Sequence, residues 1–249
     1  MAERRSTVLL LLGMIAWVAA GLVAAFVLSV VAVGGALAWL HHGLGPELVG
    51  EQSVLLYVLV GSTAFQATLL AGAVRQGRLA GNGDWRFGLG IGRIRHVGRV
   101  ALLCVVMIGC LLGFVLLSAR IPALRDFAKS VTPDIMARLE EGGPFAVMAK
   151  VALAVVLAPI SEELFFRGWL WESLRRRGHG VLSTACLTAL PWLLLHGLDS
   201  PARVLFLLPA ALVFSLARHY GGSVLASLVV HVTNNAVAVL LEVIAVVMG

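Results

Sequence analysis

Glu162-Glu163-Leu164-Phe165-Phe166-Arg167 sets two acids and a base inside a stretch from 145 to 171 that is otherwise apolar but for Lys150 near its start. With apolar flanks on both sides, these charges cannot be a solvated surface face. One charged residue at the middle of a membrane helix costs roughly 2.5–3.5 kcal/mol on insertion scales. Three together carry a cost that usually marks a site of chemistry or ion movement. Two further polar pairs recur in later apolar runs, Trp192 with His196 and His231 with Asn235. The hexad therefore decides the fold class: an all-α, polytopic integral-membrane bundle with polar groups set inside it.

Composition agrees. The 249 residues are 60% hydrophobic and 13% charged, with a mean hydropathy of +0.97. A soluble domain carries about 25% charge. One domain, 1–249, is the expected organisation. The net charge of +6 does not point to nucleic acid, because the basic residues fall in short loops between apolar runs, the pattern that sets membrane orientation. Cys104, Cys110 and Cys186 lie in apolar spans without metal-like spacing and read as small hydrophobes. Residues 1–7 resemble the basic start of a signal peptide, but the apolar run continues to Leu40, too long for one.

A span needs about 20 apolar residues, and about seven transmembrane helices are expected: 8–40, 53–74, 98–118, 146–172, 181–197, 202–218 and 223–248. Arg4 and Arg5, the basic residues between Arg75 and Arg99, the Arg175–Arg177 run and Arg218 would share one side, which puts the N-terminus inside. The glycine-rich stretch 75–99, with Trp85 and Phe87, reads as an interfacial element against anionic lipid. Thr132-Pro133-Asp134 reads as the start of a short surface helix reaching about Glu141.

Within the fourth span, Glu163 and Arg167 are four apart and can pair on one helix face, which leaves Glu162 over. A carboxylate taken out of water is a stronger base, as a general base working near neutrality requires. Pro159 cannot donate its backbone bond and is expected to kink or widen the helix. His231 and Asn235 are also four apart and co-facial; the bland alternative is interhelical glue. Asn234 and Thr233 point to other faces. At about 1.5 Å rise per residue, the groups at 162, 196 and 231–235 fall in one layer of the membrane. Gly81-Asn82-Gly83-Asp84 matches the short pattern of intramembrane aspartyl proteases, but no second membrane Asp completes a dyad. Gly88, Gly90 and Gly92 follow no strand, so they do not support a dinucleotide site.

Glu162-Glu163-x-x-x-Arg167, the aromatic-x-x-x-His of Trp192–His196, and His231-x-x-x-Asn235 together resemble the three motifs of the CPBP (CAAX protease and bacteriocin-processing) family of intramembrane glutamic endopeptidases. The similarity covers about 146–248, and Phe166-Arg167-Gly168 is also typical. Trp192 stands where the family usually has Phe, a departure expected to affect packing and not chemistry. The resemblance implies an endopeptidase in which Glu162 activates water with help from His196, while His231 and Asn235 stabilise the oxyanion. Glu163 and Arg167 would be structural. No cofactor is expected on this reading; the alternative is zinc held by Glu162, His196 and His231. A non-catalytic chaperone or immunity factor, or an ion pathway on the same fold, are the readings outside enzymology. The implied partners are the lipid bilayer and a membrane-associated protein or peptide substrate, its C-terminal tail included; the implied location is a multi-pass position in a bacterial inner membrane.

Overall fold

The computed structural model describes residues 2–40, 46–131, 148–149, 151–197 and 200–248. Among these, all regular structure is helical. Two long rods, α1 (Ala2–Leu40) and α2 (Pro46–Ala80), pack along each other. They approach closely because Gly21 and Gly72 have no side chain: a Cβ there would lie 2.9 Å from the Phe65 ring and 2.8 Å from the Trp17 ring. A short α3 (Trp85–Gly88) leads to α4 (Val97–Arg120) and α5 (Pro122–Val131).

A continuous helical rod follows, running from Val151 to Arg176 and changing pitch on the way. It consists of a π segment (Ala152–Leu157), α6 (Ala158–Glu162), a second π segment (Glu163–Leu170) and α7 (Trp171–Arg176). The widening expected at Pro159 is real and has a backbone cause. Proline has no N–H to give Val155 its α-helical bond, and Ala158 N already reaches back five residues to Leu153 O. The bundle closes with α8 (Val181–Gly197), α9 (Pro201–Gly221) and α10 (Val224–Met248). Ser200 caps α9 by accepting from Arg203 N, with Pro201 in the first turn. Gly222 ends α9 at φ 66°, a left-handed conformation that favours glycine.

Among the described residues, five helical stretches are long and apolar enough to cross a membrane: Thr7–Gly35, Leu56–Ala80, Val97–Arg120, Pro201–Gly221 and Val224–Ile244. Of the seven expected spans, two differ. From Val151 onward the span expected at 146–172 is the pitch-changing rod, and Val181–His196 is apolar but short. The rod is a central element, whereas α8 keeps an outward apolar face with Leu182, Leu190 and Leu194 exposed. From Ser161 to Trp171 every residue of the rod is buried. The long helices show the reverse pattern, with Leu9, Val31, Val105 and Leu116 more than 60% exposed. Such apolar outer faces are what a hydrocarbon solvent requires.

Several chain reversals meet at one end. Thr7 Oγ1 lies 3.1 Å from His179 Nε2. Arg176 Nη1 donates to Ala80 O at 2.6 Å, Arg95 N to Gly221 O at 2.9 Å and Val224 N to Gly90 O at 3.1 Å. The basic segments expected on one side therefore do gather together. The 75–99 stretch is partly a structural plug: Leu89 is fully buried, and Gly92 N bonds Ser223 Oγ at 3.1 Å. Asp84, from the Gly-Asn-Gly-Asp sequence, caps α3 by accepting from Arg86 N at 2.9 Å. The surface helix expected from Thr132 to about Glu141 lies outside the described residues.

Candidate active site

Four helical elements bring the polar groups together. The rod contributes Ser161, Glu162, Glu163 and Arg167; α8 contributes Trp192 and His196; α10 contributes His231 and Asn235; α2 contributes Gln66. The expected Glu163–Arg167 pair is present, with Arg167 Nη1 on Glu163 Oε1 at 3.1 Å and both side chains fully buried. Arg167 also donates through Nη2 to Ala211 O at 3.2 Å. Its guanidinium carbon lies 5.3 Å from the Trp192 ring and 5.5 Å from the Phe214 ring. Aromatic faces on both sides help hold a cation away from water.

Glu163 takes a second partner. His231 Nδ1 lies 2.9 Å from the same Oε1, and the imidazole stacks on Phe214 at 4.3 Å. The carboxylate accepts, so Nδ1 carries the proton and Nε2 of the neutral ring keeps a lone pair.

Glu162, only 4% exposed, makes a separate set of contacts. Gln66 Nε2 donates to Oε1 at 3.1 Å, and Trp192 Nε1 donates to Oε2 at 2.6 Å. Trp192 was expected to matter for packing alone; its indole N–H instead bonds the carboxylate, which a Phe ring could not do. His196 Nδ1 donates to Trp192 O at 2.9 Å, leaving Nε2 as the acceptor, 3.8 Å from Glu162 Oε2. That gap is too long for a direct hydrogen bond and suits one bridging water. Both groups line a cavity of about 500 Å³, whose other wall is α1 and α2 with Leu22, Phe26, Tyr57 and Phe65.

Asn235 is held elsewhere. Its Nδ2 donates to Ala154 O at 2.8 Å, and Asn234 Nδ2 bonds Asn235 Oδ1 at 3.1 Å. Ala154 O lacks the regular α- and π-helical donors. Its α-helical partner, Ala158 N, is taken by Leu153 O, and its π-helical partner would be Pro159.

The structure thus brings Glu162 and His196 together and joins His231 to Glu163; Asn235 is bonded to the rod's first π segment. Both imidazoles present the tautomer a metal ligand needs, with Nδ1 engaged and Nε2 free. Among the described residues, however, no three His, Cys, Asp or Glu side chains converge on a site that could hold a metal ion. The alternative zinc set of Glu162, His196 and His231 does not meet in this arrangement. Sequence reasoning missed Gln66. Its only signal was a lone amide in the apolar run 53–74, where such groups usually find an interhelical partner.

Residues 144–237 match the family model of type II CAAX prenyl endopeptidases, Rce1-like. The resemblance read from the three motifs is thus met by a family-model match over this segment. It contains Glu162, Glu163, Arg167, His196, His231 and Asn235 and leaves out Gln66 with the whole of α1 and α2. No curated protein and no solved structure matches the chain.

Proposed function

We propose that this chain, whose residues 144–237 match that protease family, is an intramembrane endopeptidase that hydrolyses a peptide bond with water activated by Glu162. The observation that carries the reading is the pair at the cavity wall: Glu162 Oε2 faces the lone-pair nitrogen of His196 across 3.8 Å, both opening onto the same space. A water held between them has its two hydrogens directed at two acceptors and its lone pairs free for a carbonyl carbon. Its oxygen attacks, Glu162 takes one proton, and the C–O bond forms as the carbonyl π pair moves to oxygen. Collapse of the tetrahedral intermediate breaks the C–N bond, and the protonated Glu162 returns the proton to the leaving amine. His196 orients the water and shares the proton inventory.

His231 and Asn235 are the donors assigned to the oxyanion. Asn235 has a second amide hydrogen beyond the one on Ala154 O. His231 donates from Nε2 only when it carries a second proton, since Nδ1–H is committed to Glu163. Asn235 is therefore the donor available in every protonation state. The proposal is metal-independent: the three candidate ligands do not converge, and one bridging water satisfies the geometry they do adopt. The substrate is a membrane-associated protein or peptide, entering through its C-terminal tail into a cavity with apolar walls on α1 and α2.

The test compares membrane fractions from cells with the active protein and with Glu162→Ala, reading protein C-termini by mass spectrometry. New C-termini present only with the active protein are expected. Identical C-termini in both fractions, with each protein inserted at the same level, contradict the proposal and favour a non-catalytic role.

A further inference from the structure

Among the described residues that hydrogen-bond Glu162, Gln66 is the one supplied from outside the segment that matches the protease family. It sits on α2, 8% exposed, with its amide between two polar side chains of the rod. Ser161 Oγ bonds Gln66 Oε1 while Gln66 Nε2 donates to Glu162 Oε1 at 3.1 Å. Oxygen and nitrogen of an amide are assigned from their partners, and here the partners decide. The reverse orientation would set the amide oxygen against a carboxylate, with two acceptors facing each other. A buried amide in an apolar bundle is also costly unless both ends are bonded, and the Ser161–Glu162 pair supplies an acceptor and a donor one residue apart.

From α8, the Trp192 indole N–H reaches the other oxygen, Oε2, at 2.6 Å. One donor on each oxygen, from two separate helices, α2 and α8, fixes the rotation of the carboxylate about its last bond. It also leaves a lone pair of Oε2 for the space shared with His196. Glu162 ends the short α6 between two widened segments, and these two donors hold its carboxylate. We propose that Gln66 and Trp192 form a two-helix clamp on the Glu162 carboxylate and act as positioning residues of the reaction. This makes α2 part of the catalytic assembly, and it rests on the reading of Glu162 as the base.

Two measurements test the clamp, one of them independent of any substrate. Infrared difference spectra of the full-length protein, wild type minus Glu162→Gln, isolate the Glu162 carboxylate stretch. The same subtraction in Gln66→Leu and Trp192→Phe backgrounds is expected to give a displaced band. For kinetics, a peptide spanning a C-terminus generated only by the active protein serves as substrate in proteoliposomes. Gln66→Leu is expected to lower kcat by about 10²-fold, the scale of a misplacement near 1 Å, with KM unchanged. Gln66→Glu keeps the shape but cannot donate when ionised, and it falls at least as far; it carries the test should the leucine variant fail to insert. An unmoved band together with wild-type kcat in either Gln66 variant overturns the clamp, and so does a rise in KM at unchanged kcat. Full cleavage by Glu162→Gln would defeat the proposed function instead, and the infrared band would still decide the clamp.

Discussion

Arg167 shows how one buried cation is kept in place. It bonds Glu163, a backbone carbonyl of α9 and two aromatic faces, and its own carbonyl accepts from Arg218 Nε at 2.9 Å. Removing it leaves Glu163 buried without its guanidinium partner. Breaking one side of a buried pair costs about 3–5 kcal/mol, so Arg167→Ala is expected to lower the thermal unfolding temperature sharply, and adding Glu163→Gln should recover part of the loss. Wild-type stability in the single mutant would contradict the pairing. Asn235 belongs to the same scale. As an oxyanion donor it acts on transition-state charge, so Asn235→Ala should lower kcat by about 10²–10³-fold with little change in KM. A raised KM at intact kcat would make it a substrate or packing contact.

At the scale of elements, the rod between Val151 and Arg176 carries the site because it is not a regular α-helix. Pro159 and the five-residue bonds around it free Ala154 O, and Asn235 from α10 answers that carbonyl. An unsatisfied backbone group in a bundle costs about 1–3 kcal/mol, so Asn235→Ala has a stability loss as well as a kinetic one. Pro159→Ala restores an N–H one turn away. The double mutant is therefore expected to unfold at a higher temperature than Asn235→Ala alone; purely additive losses in thermal unfolding would show that the proline does not set the bond. Much of this element was legible beforehand. The spacing of Glu163 to Arg167 gives a shared helix face, and Pro159 announces a disturbed pitch. What the disturbance becomes was not legible, since a π segment and a kink have the same sequence signal. Trp192 was misread for a related reason: spacing places the ring beside His196, while the direction of its N–H depends on how α8 packs against the rod.

Across the whole molecule, α1 and α2 do more than complete the membrane bundle. They wall the cavity onto which Glu162 and His196 open, and Gln66 joins them to the rod. Their sequence carries little of this, because Gln66 has only the hydroxyls of Ser62 and Thr63 at helical spacing, with no charged group or His to mark it. The gathering of Arg95, Arg176 and their carbonyl partners at one end was legible, since charge alternation between loops follows from membrane orientation alone. An assembly that needs no metal should keep its activity during prolonged exposure of the purified protein to a strong chelator. A three-ligand zinc site would lose activity and regain it with added metal, and stoichiometric zinc with metal-restored cleavage would overturn the metal-independent mechanism. The central claim is narrower: Glu162 is the base. Its most direct test is the cleavage rate of purified, folded Glu162→Gln in proteoliposomes, on a peptide spanning a C-terminus that only the active protein generates. Glutamine keeps the shape but cannot take the proton, so turnover is expected to fall nearly as far as in Glu162→Ala; a rate close to wild type would contradict the claim.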